Sequence, residues 1–108
     1  MALSQRNLNQ RLQLQRVLED SLGSSNVYFQ PPTTITLKYP CIIYKLDDIE
    51  DVRANDKRYL NHKRYLITVV DRNPDSSIPD KILDLPYCAF ENYFVIDNLN
   101  HYNCSLYY

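Results

Sequence analysis

Glycine and tryptophan are almost missing from this chain. Its 108 residues include one glycine, Gly23, and no tryptophan. The Gly-rich loops that bind phosphate in P-loop and Rossmann proteins need several glycines, because the backbone itself must approach the phosphate oxygens. The sequence therefore disfavours a nucleotide-dependent enzyme, and we expect no cofactor.

An excess of either charge is missing as well, and so is any paired-cysteine motif. The chain has 12 Lys and Arg residues and 13 Asp and Glu residues. This near balance of charge disfavours a protein whose main task is to neutralise duplex phosphates. Cys41, Cys88 and Cys104 have no CxxC spacing and lie in apolar runs, so we expect buried, reduced thiols. No run of about 18 apolar residues occurs, and we expect no signal peptide and no membrane contact.

Tyrosine is abundant, with 10 copies in the chain. Its ring packs against other residues while its hydroxyl stays in contact with water, which suits a protein with much half-buried surface. The length is that of a single domain, and we expect one domain over residues 1–108.

Hydrophobic periodicity predicts the order of the elements. Leu8, Leu12, Leu18 and Leu22 predict an amphipathic helix over about residues 4–22 that ends at Gly23. Strands are expected near residues 26–30, 39–46 and 64–71 and twice within 87–108, with a short helix near 78–85. This order predicts an α+β fold, with a mixed, mostly antiparallel β-sheet of four to five strands and two helices packed on one face.

The same periodicity predicts which side chains form the core. We expect burial of Leu8, Leu12, Leu18, Ile43, Ile67, Val69, Ile82, Phe94 and Leu106. The polar segment at residues 97–101, DNLNH, separates the last two strands and reads as a tight connection, in which Asp97, Asn98 and Asn100 supply positive φ and backbone hydrogen bonds. His101 and Cys104 form the one His/Cys pair at zinc-ligand spacing, which is weak support for a metal, so we expect none.

A long polar segment at residues 47–63 predicts a long loop or a protruding hairpin arm. It contains one copy of a KRYL repeat, at residues 57–60, and a second copy follows at 63–66. Basic and aromatic residues in this pattern could bind a single nucleic-acid strand, although the second copy also fits the start of a strand. Acidic residues precede the repeat, so we expect contacts with neighbouring subunits or partners at Asp47, Asp48, Glu50, Asp51, Arg58, Tyr59, His62, Lys63 and Arg64.

Five motifs follow one another from Val27 onward: VYFQPP, LKYPCIIYKLDD, NDKRYLNHKRYLITVVDRNPDS, IPDKILDLPYCAF and DNLNHYNCSLYY. In this order they resemble the tail terminator, or tail completion, family of long-tailed bacteriophages. The resemblance implies a structural virion protein that forms a hexameric ring on the last ring of the tail tube and stops tube growth. Its partners would be the tail tube protein on one face and the head–tail connector or completion protein on the other, with passing contact to phage DNA in the lumen.

The resemblance also implies assembly in the host cytoplasm, a final location in the tail or neck of the virion, and no catalytic residues. Two other functions stay open at this stage. One is a head completion or connector protein of the neck of the same particle. The other is a small nucleic-acid-binding module that uses the KRYL repeat. A small Cys-His enzyme is a further alternative, which would need an accessible thiol of depressed pKa.

Overall fold

The first helix, α1 (Leu3–Leu22), confirms the predicted N-terminal helix. A computed structural model describes the backbone of residues 3–54 and 57–108, and the side chains of residues 5, 7–49 and 63–108. Leu14, Leu18 and Leu22 are four residues apart and form the buried stripe of α1. Gly23 ends the helix with a φ of 81°, and its N–H donates to the carbonyl oxygen of Glu19 at 2.8 Å.

Five strands and a second helix follow α1, which confirms the predicted α+β class. The strands pair in the order β1-β2-β3-β5-β4, in which β1 is parallel to β2 and every other pair is antiparallel. The Tyr39–Pro40 peptide bond before β2 is cis. The edges of the sheet are therefore β1 and β4. The elements after α1 are β1 (Val27–Phe29), β2 (Cys41–Ala54), β3 (Lys57–Asp71), α2 (Ile78–Leu83), β4 (Cys88–Ile96) and β5 (Leu99–Tyr107).

One face of the sheet carries the core, and both helices cover that face, as predicted. The register places Tyr44 beside Ile67, and Ile67 beside Cys104, so these three side chains point to the same side. All three are fully buried together with Leu14 and Leu18 of α1. In α2, Ile78 and Ile82 contribute to the same cluster. Burial of this shared apolar face stabilises the domain.

Four of the expected core residues lie elsewhere. Leu8 and Leu12 are each 41% exposed and Phe94 is 39% exposed, so their predicted burial is wrong. Helix geometry explains the two leucines, because Leu8 and Leu12 are rotated by about 80° and 120° around α1 from Leu18. Ile43 is half-buried on the opposite face of the sheet from Tyr44.

The polar arm at residues 47–63 is a hairpin ribbon, and the alternative of a long loop is not confirmed. β2 and β3 pair from Cys41 with Val70 to Ala54 with Lys57, with irregularities after Leu46 and after Val52. β5 pairs with β3 only from Arg64 onward. The part beyond this point, residues 47–54 and 57–63, is therefore a two-stranded extension of the sheet, which we call the projecting ribbon.

The DNLNH segment is the tight connection that the sequence predicts. Asp97 and Asn98 have φ values of 53° and 63° and form the two-residue turn between β4 and β5. The last strand begins at Leu99, two residues before the expected His101. Asn100 differs more from its expected role: it is buried within β5, and its side chain bonds to other strands and loops rather than to the turn.

Candidate interaction surfaces

The base of the projecting ribbon holds an ion pair between two of the expected contact residues. Arg64 approaches the Oδ2 atom of Asp47 with Nη2 at 2.8 Å and with Nε at 2.9 Å. The neighbouring Asp48 accepts a hydrogen bond from the backbone N–H of Ile49 at 2.8 Å. Asp47 and Arg64 are both about one-third exposed. The structure thus brings these charged groups together within one subunit, where they join β2 to β3.

The second KRYL copy starts at Lys63, the last residue of the projecting ribbon, and continues into the packed part of β3. Lys63 is 9% exposed and Tyr65 is 5% exposed, and the two side chains lie on the same face of the strand. Leu66 is half-buried on the other face. Only Arg64 of this copy is available at the surface, and it is bound to Asp47. The expected contact residues Glu50, Asp51, Arg58, Tyr59 and His62 lie in β2 and β3, but their side chains fall outside the described residues.

The edge strand β4 exposes large apolar side chains on both of its faces. Its single charged residue, Glu91, sits at a bulge opposite β5, where its carboxylate accepts a hydrogen bond from the Ser105 hydroxyl at 2.7 Å. The sequence does not reveal this surface, because an unbroken apolar run such as Tyr93 to Ile96 fits a buried strand equally well. The exposed apolar side chains are Phe90 (51%), Tyr93 (46%), Phe94 (39%), Val95 (54%) and Ile96 (54%).

A cleft of about 380 Å³ opens beside the N-terminal end of β4, and we call it the Tyr87 pocket. Its walls include Val17 of α1, Leu85, Tyr87 and Leu106. Tyr87 is 80% exposed and has a φ of 62°, a left-handed conformation that presents its ring at the rim. The pocket is thus an open apolar hollow that continues the β4 edge.

The opposite edge of the molecule is formed by β1 and one side of α1. Gln15 fixes this side of the helix, since its Nε2 donates to the Val27 carbonyl oxygen at 2.9 Å and its Oε1 accepts from the Tyr44 hydroxyl at 2.5 Å. Leu8 and Leu12 lie on the same side of α1 as Gln15, at spacings of seven and three residues. We call this surface the α1–β1 edge. Its exposed leucines give it an apolar character.

The thiols do not form a Cys-His pair with the histidine that the structure describes. His101 lies on the face of β5 opposite to Cys104, and its ring stacks on Phe94 with centroids 4.6 Å apart. Burial raises the pKa of the Cys41 thiol to about 11. A hydrogen bond to Cys104 lowers the pKa of the Cys88 thiol, and the same bond raises the pKa of Cys104. Within residues whose side chains are described, no three His, Cys, Asp or Glu residues cluster as metal ligands.

Alkylation of the folded protein is expected to start at Cys88. Cys88 is half-buried and has a lowered pKa, whereas Cys41 and Cys104 are buried thiols of raised pKa. Since the thiolate is the nucleophile, iodoacetamide should modify Cys88 at least about tenfold faster than the other two. Its rate should also reach a plateau at a lower pH than that of a free cysteine. Peptide mass mapping during the reaction measures each rate, and equal rates at the three sites would contradict this ordering.

In comparisons with known proteins, no family model matches this chain and no curated protein matches it significantly. In the part of the chain that the structure describes, no helix is both long enough and apolar enough to span a membrane.

Proposed function

We propose that this protein is a structural assembly subunit whose copies form a ring, and that the ring caps the tail tube of a long-tailed bacteriophage. The ordered motifs from Val27 onward support the phage assignment through their resemblance to tail terminators. In this role the protein acts by occupying the end of the tube, where it stops further addition of tube subunits and offers a surface for head joining.

The projecting ribbon is the observation that carries the proposal. β2 and β3 are 14 and 15 residues long, whereas β4 and β5 have 9 residues each. The ribbon therefore extends past the sheet and contributes to a molecule 51 Å long and 25 Å wide. A two-stranded hairpin is marginally stable by itself, so a ribbon of this length favours a role in contact with a partner. Such an extension would let the subunit contact the tube ring while the rest of the domain contacts neighbouring copies.

The charge pattern of the ribbon sequence suits selection of a partner more than tight binding. Acidic residues dominate its first strand, and basic residues dominate its second strand. Exposed ion pairs contribute only about 0.2–1 kcal/mol each, so several must act together. Such contacts set the register between partners and exclude partners of the wrong charge.

The test is tube length in the presence and absence of the protein. Tail tube protein from the same phage should polymerise into tubes of uncontrolled length, and addition of this protein should stop growth and leave a ring at one tube end in electron micrographs. A short-ribbon variant provides the matched control. It lacks residues 51–61 and joins the paired residues Glu50 and His62 through Asn-Gly, so the strand register is kept. We expect the variant to fold and to lose capping.

Two results would overturn the proposal. Tubes of unchanged length with bare ends would remove the terminator role. Labelled protein found at the head vertex of particles, and never at the tube end, would assign it to the head completion group. Normal capping by the short-ribbon variant would show instead that the sheet, and not the ribbon, contacts the tube.

The nucleic-acid alternative receives less support from the geometry. In the second KRYL copy, Lys63 and Tyr65 are buried and Arg64 is bound to Asp47, so this copy does not present a basic, aromatic strip to a ligand. A DNA affinity that falls steeply with salt, and that is lost when Lys57 and Arg58 are changed to Glu, would restore this alternative.

A further inference from the structure

We infer that neighbouring subunits contact each other head to tail, with the α1–β1 edge of one copy docked on the β4 edge of the next. This inference rests on the proposed ring, and it assigns the surfaces that close the ring. Neither surface includes the projecting ribbon, which stays available for the tube.

The β4 edge exposes enough apolar surface to form part of an interface. If an aromatic side chain covers ~150–250 Å², the exposed parts of its five apolar side chains amount to roughly 400 Å². Phe90, Tyr93 and Val95 lie on the helix-covered face of β4, and Phe94 and Ile96 lie on the other face, so this apolar area borders the free edge of the strand from both sides. A standard stable interface takes about 800 Å² from each partner, so these side chains supply at most about half of that area, and the strand backbone and Tyr87 add to it.

The strand itself also has unsatisfied pairing capacity. Among the residues that the structure describes, β4 pairs with β5 on one side only, so it is an edge strand whose other row of backbone N–H and C=O groups has no strand partner. Edge strands are usually protected by lysine, proline or several charges. β4 has none of these except Glu91, and the segment after the bulge, Tyr93 to Ile96, has no charge at all. A strand from another protein copy would satisfy this edge.

The α1–β1 edge is the complementary surface because it lies at the other end of the same sheet. β1 is the opposite edge strand, and Leu8 and Leu12 above it are 41% exposed. Two different apolar surfaces at opposite edges fit a head-to-tail contact, in which each copy uses one surface for each neighbour. A contact of β4 with a second β4 would leave the leucines of α1 exposed.

Strand direction agrees with this arrangement. β1 runs parallel to β2, whereas β4 runs antiparallel to β5, and β5 has the direction of β2. The two edge strands of one subunit therefore run in opposite directions. In a ring whose axis follows the strands, β4 of one copy therefore lies antiparallel to β1 of the next. The N–H and C=O groups of Val27 already bond to Ser25 and Gln15, so backbone pairing along β1 is limited to Phe29, and side-chain contacts make up the rest of the interface.

The two surfaces also match in height along the strands. Following the register across the sheet from β1 to β4 brings Val27 level with Tyr93 and Phe29 level with Phe90. The short β1 strand thus faces the middle of β4. The aromatic rings of Phe90 and Tyr93 would then cover the side of β1.

Two double variants test the inference. Leu8→Glu with Leu12→Glu alters the α1–β1 edge, and Tyr87→Asp with Val95→Glu alters the β4 edge, with Asp chosen because it tolerates the left-handed backbone of residue 87. Asn9→Glu with Gln13→Glu adds the same charge at the same spacing to the exposed face of α1 and serves as the matched control. Sedimentation of purified protein should show a ring for the natural chain and for the control.

Each edge variant alone should be a folded monomer, with subunit affinity reduced at least about 30-fold, which corresponds to about 2 kcal/mol. An equimolar mixture of the two variants should form a 1:1 heterodimer and nothing larger, because the mixture keeps one intact α1–β1 edge and one intact β4 edge. Ring formation by either variant, or no heterodimer in the mixture, would overturn the inference.

These outcomes can be separated from failure of the proposed function. Normal rings and normal tube capping by both variants would refute the assigned surfaces and leave the terminator role intact. A natural chain that caps tubes while it stays monomeric at its highest soluble concentration would refute the ring contact in the same way. Rings that close as inferred but never stop tube growth would refute the terminator role alone.

Discussion

Replacing Ile67 by alanine is expected to lower the free energy of unfolding by about 2–5 kcal/mol. Ile67 is fully buried in β3, the central strand, between Tyr44 of β2 and Cys104 of β5. The substitution removes buried methyl groups and leaves a cavity that the flanking strands cannot close, since each is held by its own ladder of hydrogen bonds. Urea denaturation followed by circular dichroism measures the change.

Leu12→Ala is the control for this prediction. Leu12 is as apolar as Ile67 but 41% exposed, so the loss should stay below about 1 kcal/mol. Equal losses at the two positions would show that the face of the sheet has been assigned wrongly. A larger loss at Leu12 would place that residue in the core of the monomer and would also remove it from the inferred subunit contact.

The sequence predicts the centre of the fold well because burial there follows simple periodicity. Apolar residues alternate on both faces of β3, and Tyr65, Ile67 and Val69 lie on the helix-covered face as two-residue spacing requires. The last strand follows the same rule, with Cys104 and Leu106 buried. The turn at Asp97 and Asn98 was predictable because these residues tolerate the positive φ that a two-residue hairpin loop needs.

Three residues that the sequence predicts to be buried are exposed in the structure, and they lie at the two edges of the molecule. Leu8 and Leu12 are found beside β1, and Phe94 is found on β4. Periodicity identifies an apolar face, but it does not say whether the cover comes from the same chain or from another molecule. If the inferred head-to-tail contact is correct, these three side chains are buried after all, in the assembly.

The candidate site was harder to predict than the fold because its residues alternate irregularly. The pairing shifts after Leu46 and again after Val52, and each shift interrupts the two-residue pattern that marks a strand. A polar ribbon with such interruptions resembles a loop in sequence. The burial of Lys63 could not be predicted either. The residues next to it in the sequence do not distinguish a lysine whose aliphatic stem packs on the core face from a fully exposed lysine.

Replacing Asn100 by alanine is expected to destabilise the fold by about 2–4 kcal/mol. Asn100 is 5% exposed, and its Nδ2 donates to the carbonyl oxygen of Asp71 at 3.0 Å and to that of Arg72 at 3.3 Å. Its Oδ1 accepts a hydrogen bond from the Tyr93 hydroxyl at 2.6 Å. One side chain thus ties the end of β3 to both strands of the terminal hairpin. Alanine leaves all three groups without this partner, and thermal or urea unfolding measures the cost.

Asn103→Ala makes the same chemical change in the same strand and isolates the effect of burial. Within the described residues, the side-chain amide of Asn103 bonds to the side chains of Thr68 and Asn92, each at 2.6 Å, and these groups can turn to water when the amide is removed. Its loss should therefore cost less than about 1 kcal/mol. Tyr93→Phe, which removes one of the three bonds of Asn100, should fall between the two. If Asn100→Ala cost no more than Asn103→Ala, water would be replacing the amide at the end of β3, and the hairpin would be held by its strand pairing alone.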